Sequence, residues 1–203
     1  MTKSVHVFGL TGGMGSGKSV VSGMLAKHGL KIVDADQITR MVHQDPDVHS
    51  QLVEAFGQEI ICDRETPHSS INRAVLGKIA FSSPENLNQL NAIMQPALAS
   101  RVESVLCKES GLVVLDAPLL FEANWDRFAE QTITVVCPME LRIQRIHARD
   151  GLPQEQIQAR IQAQMSDAQR IYRSDYLIYN VGTLTQLQRQ VDRLIIYIKR
   201  NCI

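Results

Sequence analysis

Two rhythms of apolar and polar residues alternate along the chain. Short runs rich in Val, Ile and Leu lie at Val5 to Leu10, Leu30 to Val33, Leu112 to Leu115, Ile133 to Cys137 and Tyr176 to Tyr179. Between them stand longer stretches whose apolar residues recur at three- and four-residue spacing. A run without alternation predicts a strand covered on both faces, and connections of helical period predict the helices that cover it. The pattern is that of the α/β class, with a parallel sheet flanked by helices. The clearest helix is the last, where Leu184, Leu187, Val191, Leu194, Ile195 and Ile198 form one stripe behind a Thr183 to Gln186 capping box.

The second and third strands are separated by a stretch of about 70 residues, Gln37 to Ser110, too long for one crossover helix. Leu87, Leu90, Met94, Leu98, Val102, Val105 and Leu106 fall near one stripe within it, which predicts a helical subdomain facing a substrate. Pro96 is expected to kink that stripe, because it lacks an N–H and its ring crowds the preceding turn. Pro153 to Tyr172 predicts a second, polar helical segment with a narrow apolar face. With no internal repeat and no low-complexity linker, the chain reads as one domain over 1–203. Its core is expected at about 1–36, 111–140 and 174–203, an acceptor subdomain at about 37–110, and a helical lid at about 141–173.

Composition narrows the function by exclusion. Lys+Arg and Asp+Glu both number 21, so the formal charge is zero and nothing global favours nucleic acid or an anionic membrane. Any anion binding must be local. Cys62, Cys107, Cys137 and Cys202 lack the paired spacing of a zinc site and read as buried or incidental thiols. No stretch approaches the ~18 apolar residues of a membrane span, and the first apolar run is too short for a signal peptide. The expectation is a soluble, cytoplasmic protein.

Local chemistry begins at Gly12 to Ser19, GGMGSGKS, which satisfies the P-loop pattern Gly-x4-Gly-Lys-Ser directly after a predicted strand and before a predicted helix, Val20 to His28. Glycines let successive backbone N–H groups converge on phosphate oxygens, and the helix N-terminus adds partial positive charge. Gly13, Met14, Gly15, Ser16, Gly17, Lys18, Ser19 and Val20 are therefore the candidate nucleotide contacts, with Lys18 on the outer phosphates and the Ser19 hydroxyl a ligand to Mg²⁺. No Asn-Lys-x-Asp motif is present to read guanine, so guanine specificity is not expected. Asp116 ends an apolar strand, as an acid that organises Mg²⁺ through water would; taken alone, it is equally a strand-end Asp that accepts backbone N–H bonds.

Asp34 and Asp36 follow the second strand, at the carboxyl edge where open α/β sheets bind ligands. One carboxylate can organise metal-bound water while the other orients and deprotonates an attacking hydroxyl. Each is also a reasonable helix N-cap. Arg142, Arg145 and Arg149 are spaced to share one helix face, with Arg160 and Gln164 following on the polar segment. Such runs are often only solvated surface, but beside a P-loop they suit a lid that brings arginines to a transferring phosphoryl group.

Over nearly its whole length the chain resembles the dephospho-CoA kinase family. The matching segments are GLTGGMGSGKS at Gly9 to Ser19, IVDADQITR at Ile32 to Arg40, Phe56-Gly57, INRAVLGKIAF at Ile71 to Phe81, and LNAIMQPAL at Leu90 to Leu98. DAPLLFE at Asp116 to Glu122, RIHARDGLPQEQIQARIQAQ at Arg145 to Gln164, and SDYLIYNVG at Ser174 to Gly182 complete the set. The resemblance implies a P-loop NTPase-type parallel sheet with a helical CoA subdomain and a helical lid. It also implies transfer of the γ-phosphoryl group of ATP to the ribose 3′-hydroxyl of dephospho-CoA, the last step of CoA biosynthesis.

By that resemblance Asp36, Lys18 and Arg145 are catalytic, Asp36 as the base, and Arg149 and Asn180 join the ATP contacts, Asn180 near adenine. Asp34, Arg40, Gln95, Leu119 and Gln164 are implied on the acceptor side. The chain departs from the family pattern at Gln95-Pro96, where His usually precedes the proline, and at Val20, often Thr. Asp63 to Ser70 is also longer than the family's tight turn. A monomer or weak homo-oligomer is expected, with no nucleic-acid or membrane partner. The competing readings are another small P-loop kinase, such as a shikimate or nucleoside kinase, and a nucleotide-binding module without catalysis.

Overall fold

The structure is a computed structural model that describes residues 4–62 and 70–202. Among these, five strands form one parallel sheet in the order β2-β3-β1-β4-β5: β1 Val5–Thr11, β2 Lys31–Asp34, β3 Gly111–Asp116, β4 Gln131–Val136 and β5 Tyr176–Tyr179. The five apolar runs of the sequence are these strands, and the expected parallel α/β sheet is present. β1 is central because residues 7–11 are buried, and the polar residues that end β2 and β3 mark the carboxyl edge.

Helix α1, Lys18–Lys27, follows β1, and α9, Leu184–Cys202, closes the chain. Phe8, Leu10, Ile133 and Ile178 of the sheet are buried in one cluster with Val21 and Leu25 of α1 and Leu187, Val191, Leu194 and Ile198 of α9. Each such side chain removed from water contributes roughly 1.5–3 kcal/mol before chain entropy is counted. The α9 capping box forms as its sequence predicts: Gln186 N–H donates to Thr183 Oγ1 at 3.3 Å, and Thr183 N–H donates to Gln186 Oε1 at 2.9 Å.

The described residues divide into two compact units, Ala35–Val105 and the sheet-bearing remainder. The first consists of α2 Ala35–His43, α3 Pro46–Phe56, α4 Arg73–Ala80 and most of α5 Pro84–Leu106, with an isolated bridge between Ile61 and Ile71. Its helices start on local caps: the Asp45 carboxylate accepts from Asp47 and Val48 N–H, and the Asn72 side chain accepts from Ala74 and Val75 N–H. Helix α5 continues through Pro96. The segment expected to depart from a tight turn, Asp63 to Ser70, lies outside the described residues except for Ser70, whose carbonyl accepts from Cys62 N–H.

The polar stretch after β4 differs from its expectation. Helix α6, Met139–Asp150, is followed by two short helices, α7 Gln154–Gln162 and α8 Asp167–Arg173, in place of one segment to Tyr172. The break has a local cause. Ser166 caps α8, its hydroxyl accepting from Gln169 N–H at 3.2 Å while Gln169 Oε1 accepts from Ser166 N–H at 3.2 Å. A serine that satisfies a new helix start competes with continuation of the old helix. No described helix is long and apolar enough to cross a membrane.

Candidate active site

The loop from Gly12 to Gly17 joins β1 to α1 and turns through two left-handed glycines, Gly15 at φ 78° and Gly17 at φ 89°. Crowding as well as backbone sign requires glycine here: a Cβ on Gly12 would stand 2.6 Å from Ser16 Oγ, and one on Gly17 2.1 Å from Asn180 Nδ2. Helix α1 starts at Gly17 without any side-chain cap, unlike α3, α4 and α8. The Lys18 and Ser19 N–H groups and the positive dipole end are thereby left to an anion, while Val20 N–H donates to the Gly17 carbonyl. Ser16 Oγ is buried within the loop with no hydrogen-bond partner among the described residues.

Acidic residues gather at the adjoining strand ends. Asp34 and Asp116, the last residues of β2 and β3, are paired in register, and Lys18 Nζ donates to Asp116 Oδ1 in an ion pair that is mostly buried. Asp34 is thus the final residue of β2 rather than the first residue beyond it. The Thr11 hydroxyl donates to the Pro118 carbonyl at 3.1 Å and ties the end of β1 to the turn after β3, on which Leu119 is exposed. Ser19 and Val20, in the first turn of α1, are exposed as well.

Side chains from the far end of the sequence hold the loop. Asn180, after β5, donates from Nδ2 to the Ser16 carbonyl at 2.8 Å, so its buried amide braces the back of the loop. Gln164, after α7, accepts from Met14 N–H at 2.9 Å. Arg145 of α6 donates to the Asn180 carbonyl and to Cys137 Sγ, both at 3.2 Å, which sets its guanidinium beside Gly17. Burial pushes the Cys137 thiol up from its ordinary pKa against the pull of Arg145 and Arg142, so it meets Arg145 as a neutral thiol.

The three arginines of α6 do different things. Arg149 turns to its neighbour Asp150 in a two-pronged pair at 2.7 and 2.8 Å; hydrogen bonding to Arg149 holds the Asp150 carboxyl below the usual range. Arg142 is buried, donating from Nε to the Met14 carbonyl at 2.7 Å and from Nη1 to Asp167. The arginine spacing alone did not set it apart. Its i, i+4 relation to buried Ile146 was the available signal that this position faces inward.

In the helical unit, Asp36 lies in the first turn and Arg40 in the last turn of α2, four residues apart and both exposed. Gln95 is half-buried on α5. Asp36, Arg40 and Gln95 thus share one unit, while the loop contacts, Asp34, Asp116, Arg145, Asn180, Gln164 and Leu119 belong to the other.

A loop, lysine and strand-end acids of this kind occur in many phosphotransferases, and comparison with known proteins narrows the choice. The dephospho-CoA kinase family profile matches residues 6–186. The chain belongs to the dephospho-CoA kinase family. A dephospho-CoA kinase of Thermobifida fusca is 39% identical over 186 residues, covering 90% of this chain and 91% of its own length. The crystal structure of TT1252 from Thermus thermophilus superposes with a TM-score of 0.83 at 29% identity, covering 97% of this chain and 99% of that one. A dephospho-CoA kinase from Campylobacter jejuni shares the fold, with a TM-score of 0.71 at 22% identity and coverage of 98% and 100%.

Proposed function

We propose that this family member transfers the γ-phosphoryl group of ATP to the 3′-hydroxyl of dephospho-CoA, forming CoA and ADP. The observation that carries the donor half is the uncapped α1 start beside the buried Lys18–Asp116 pair, with Asp34 in register next to it. Family membership carries the acceptor half.

In this reading the N–H groups of Gly13, Gly15, Gly17, Lys18 and Ser19 cradle the phosphates, and Lys18 turns from Asp116 to the outer phosphates when nucleotide binds. Arg145 meets the charge developing on the transferred group, with Arg149 reaching in from the lid. Asn180 contributes to the nucleotide side through the loop that it braces. The Ser19 hydroxyl and the carboxylates of Asp34 and Asp116 are hard oxygen donors, few in number, which suits Mg²⁺ bound mainly by phosphates and water. Mg²⁺ would neutralise charge on the β- and γ-phosphate oxygens.

The ribose 3′-oxygen attacks the γ-phosphorus, and the bond from that phosphorus to the β–γ bridging oxygen breaks. ADP leaves with the electron pair, and the hydroxyl proton passes to Asp36. Proton loss comes late in a loose transition state, so the position of the carboxylate matters more than its basicity. Arg40, Gln95, Leu119 and Gln164 are assigned to the acceptor side, Gln95 by hydrogen bonding alone. The enzyme is placed in the cytoplasm as a monomer or weak homo-oligomer.

The test measures ADP release with ATP and Mg²⁺, with and without dephospho-CoA, alongside detection of CoA by mass. Stimulated ADP release with CoA appearing is the expected result. ATP binding without CoA formation would defeat the acceptor assignment.

A further inference from the structure

Met14 is the residue of the phosphate loop that the rest of the protein grips most closely. It stands between Gly13 and Gly15, neither of which has a side chain to restrain the backbone. Ser16 N–H, donating to the Gly13 carbonyl at 3.0 Å, holds the peptide before it, and the peptide after it depends on partners from outside the loop. Both of its backbone polar groups are taken by side chains from beyond β4: its N–H by Gln164 at 2.9 Å and its carbonyl by Arg142 Nε at 2.7 Å. The Arg142 guanidinium lies so close against the loop that a Cβ on Gly13 would stand 2.4 Å from Nη2. Gly13 is therefore required by Arg142 as well as by any phosphate.

The guanidinium is itself fixed from behind. Arg142 is 2% exposed, and its Nη1 donates to both oxygens of Asp167, at 3.1 and 2.9 Å. Asp167 is also 3.6 Å from Arg170, which is fully buried and bound to Glu122 at 2.8 Å and to the Met165 carbonyl at 2.6 Å. A chain of charges thus runs from Glu122 through Arg170, Asp167 and Arg142 to one peptide of the phosphate loop. Burying two guanidinium groups is costly unless each is paired, and Asp167 and Glu122 supply that pairing.

We propose that Arg142 is a positioning residue for nucleotide binding: anchored by Asp167, it sets the orientation of the Met14 peptide and so of the phosphate-binding loop. The site is incomplete without this brace, because a loop whose Met14–Gly15 peptide is unheld must be ordered by the nucleotide itself, at the expense of affinity. This inference rests on the phosphate-loop part of the proposed function and not on the identity of the acceptor.

The experiment compares wild type with Arg142→Lys, Arg142→Gln and Asp167→Asn. It measures Kd for the Mg²⁺ complex of a non-hydrolysable ATP analogue, KM for both substrates, and Tm. Arg142→Lys keeps a cation for Asp167 but cannot reproduce the Nε–H donor to Met14. Its expected result is a Tm close to wild type with analogue Kd and KM for ATP raised about tenfold, the size of one charge-assisted hydrogen bond. KM for dephospho-CoA should stay within about twofold. Asp167→Asn should weaken analogue binding by about threefold, and its effect should largely vanish when Arg142→Gln is already present, because both act through one guanidinium.

If Arg142→Lys binds the analogue as wild type does, or if both KM values rise together, the proposal is overturned. It is likewise overturned if affinity falls only in variants whose Tm falls. Should Arg142→Gln not fold, Arg142→Lys and Asp167→Asn decide the matter without it. A wild type that binds the analogue yet makes no CoA defeats the acceptor assignment and leaves the Arg142 comparison intact.

Discussion

The sheet-bearing unit and the helical unit Ala35–Val105 are held by contacts of different reach. Around the phosphate loop the bonds cross the sequence: Lys18 to Asp116, Arg142 and Gln164 to Met14, and Asn180 to Ser16 span 98, 128, 150 and 164 residues. In the helical unit, Asp45 and Asn72 cap the helices that follow them, Thr39 bonds back to the Ala35 carbonyl, and Asn86 to the Ile79 carbonyl. Those partners lie within seven residues of one another. Arg101, donating to Met41 Sδ across 60 residues, reaches further, as do the backbone bonds from Cys62 to Ser70 and from Asn72 to Ile60.

The difference separates two tasks. A phosphate loop gains affinity by being ordered before its ligand arrives, and distant buried partners provide that order. Helices stabilised one at a time by their own caps can shift as bodies without breaking the bonds that define them.

The largest expected effect tests whether the helical unit contributes chemistry despite its local bonding. Asp36→Asn is predicted to lower kcat by about 10² to 10⁴, the range for losing a general base, with little change in KM for ATP. Steady-state kinetics check it; an unchanged kcat would remove Asp36 from that role and leave the helical unit a binding scaffold only.

Asn180→Ala probes a long-range brace of the other unit. It leaves the buried Ser16 carbonyl without its amide donor, a loss of about 1–3 kcal/mol in stability. KM for ATP should rise several-fold along with it. Denaturant unfolding and ATP kinetics on the same preparation measure both, and a stability loss with unchanged KM for ATP would show that the brace does not reach the ligand.

The smallest effect is expected from the local caps. Asn72→Ala should cost about 1 kcal/mol of stability while KM for ATP stays at its wild-type value. Urea unfolding and the kinetic assay decide it. A raised KM for ATP would blur the contrast between the units.

How much of this was legible in the sequence follows from the same contrast. The phosphate loop, the five strands and the Thr183–Gln186 box are local patterns, and each occurs where its residues predict. The Ser166–Gln169 box was an equally local signal, yet the helical period of the polar stretch masked it, and one helix was expected where α7 and α8 stand. The three arginines of α6 share a spacing and divide three ways in space, to the loop carbonyl of Met14, to Cys137 and Asn180, and to Asp150.

The sequence by itself determined the class of sheet, the place and chemistry of the phosphate loop, and the acids at the strand ends. These depend on period, backbone sign and residue type over a few neighbours, where sterics and hydrogen bonding act alone. Tertiary structure decided which arginine of α6 is buried, that the Asn180 amide supports the loop from behind, and that Lys18 rests on Asp116. Each of those outcomes turns on desolvating a polar group against a partner about a hundred residues away or more, and the free energy of that burial exists only once the fold has brought the two together.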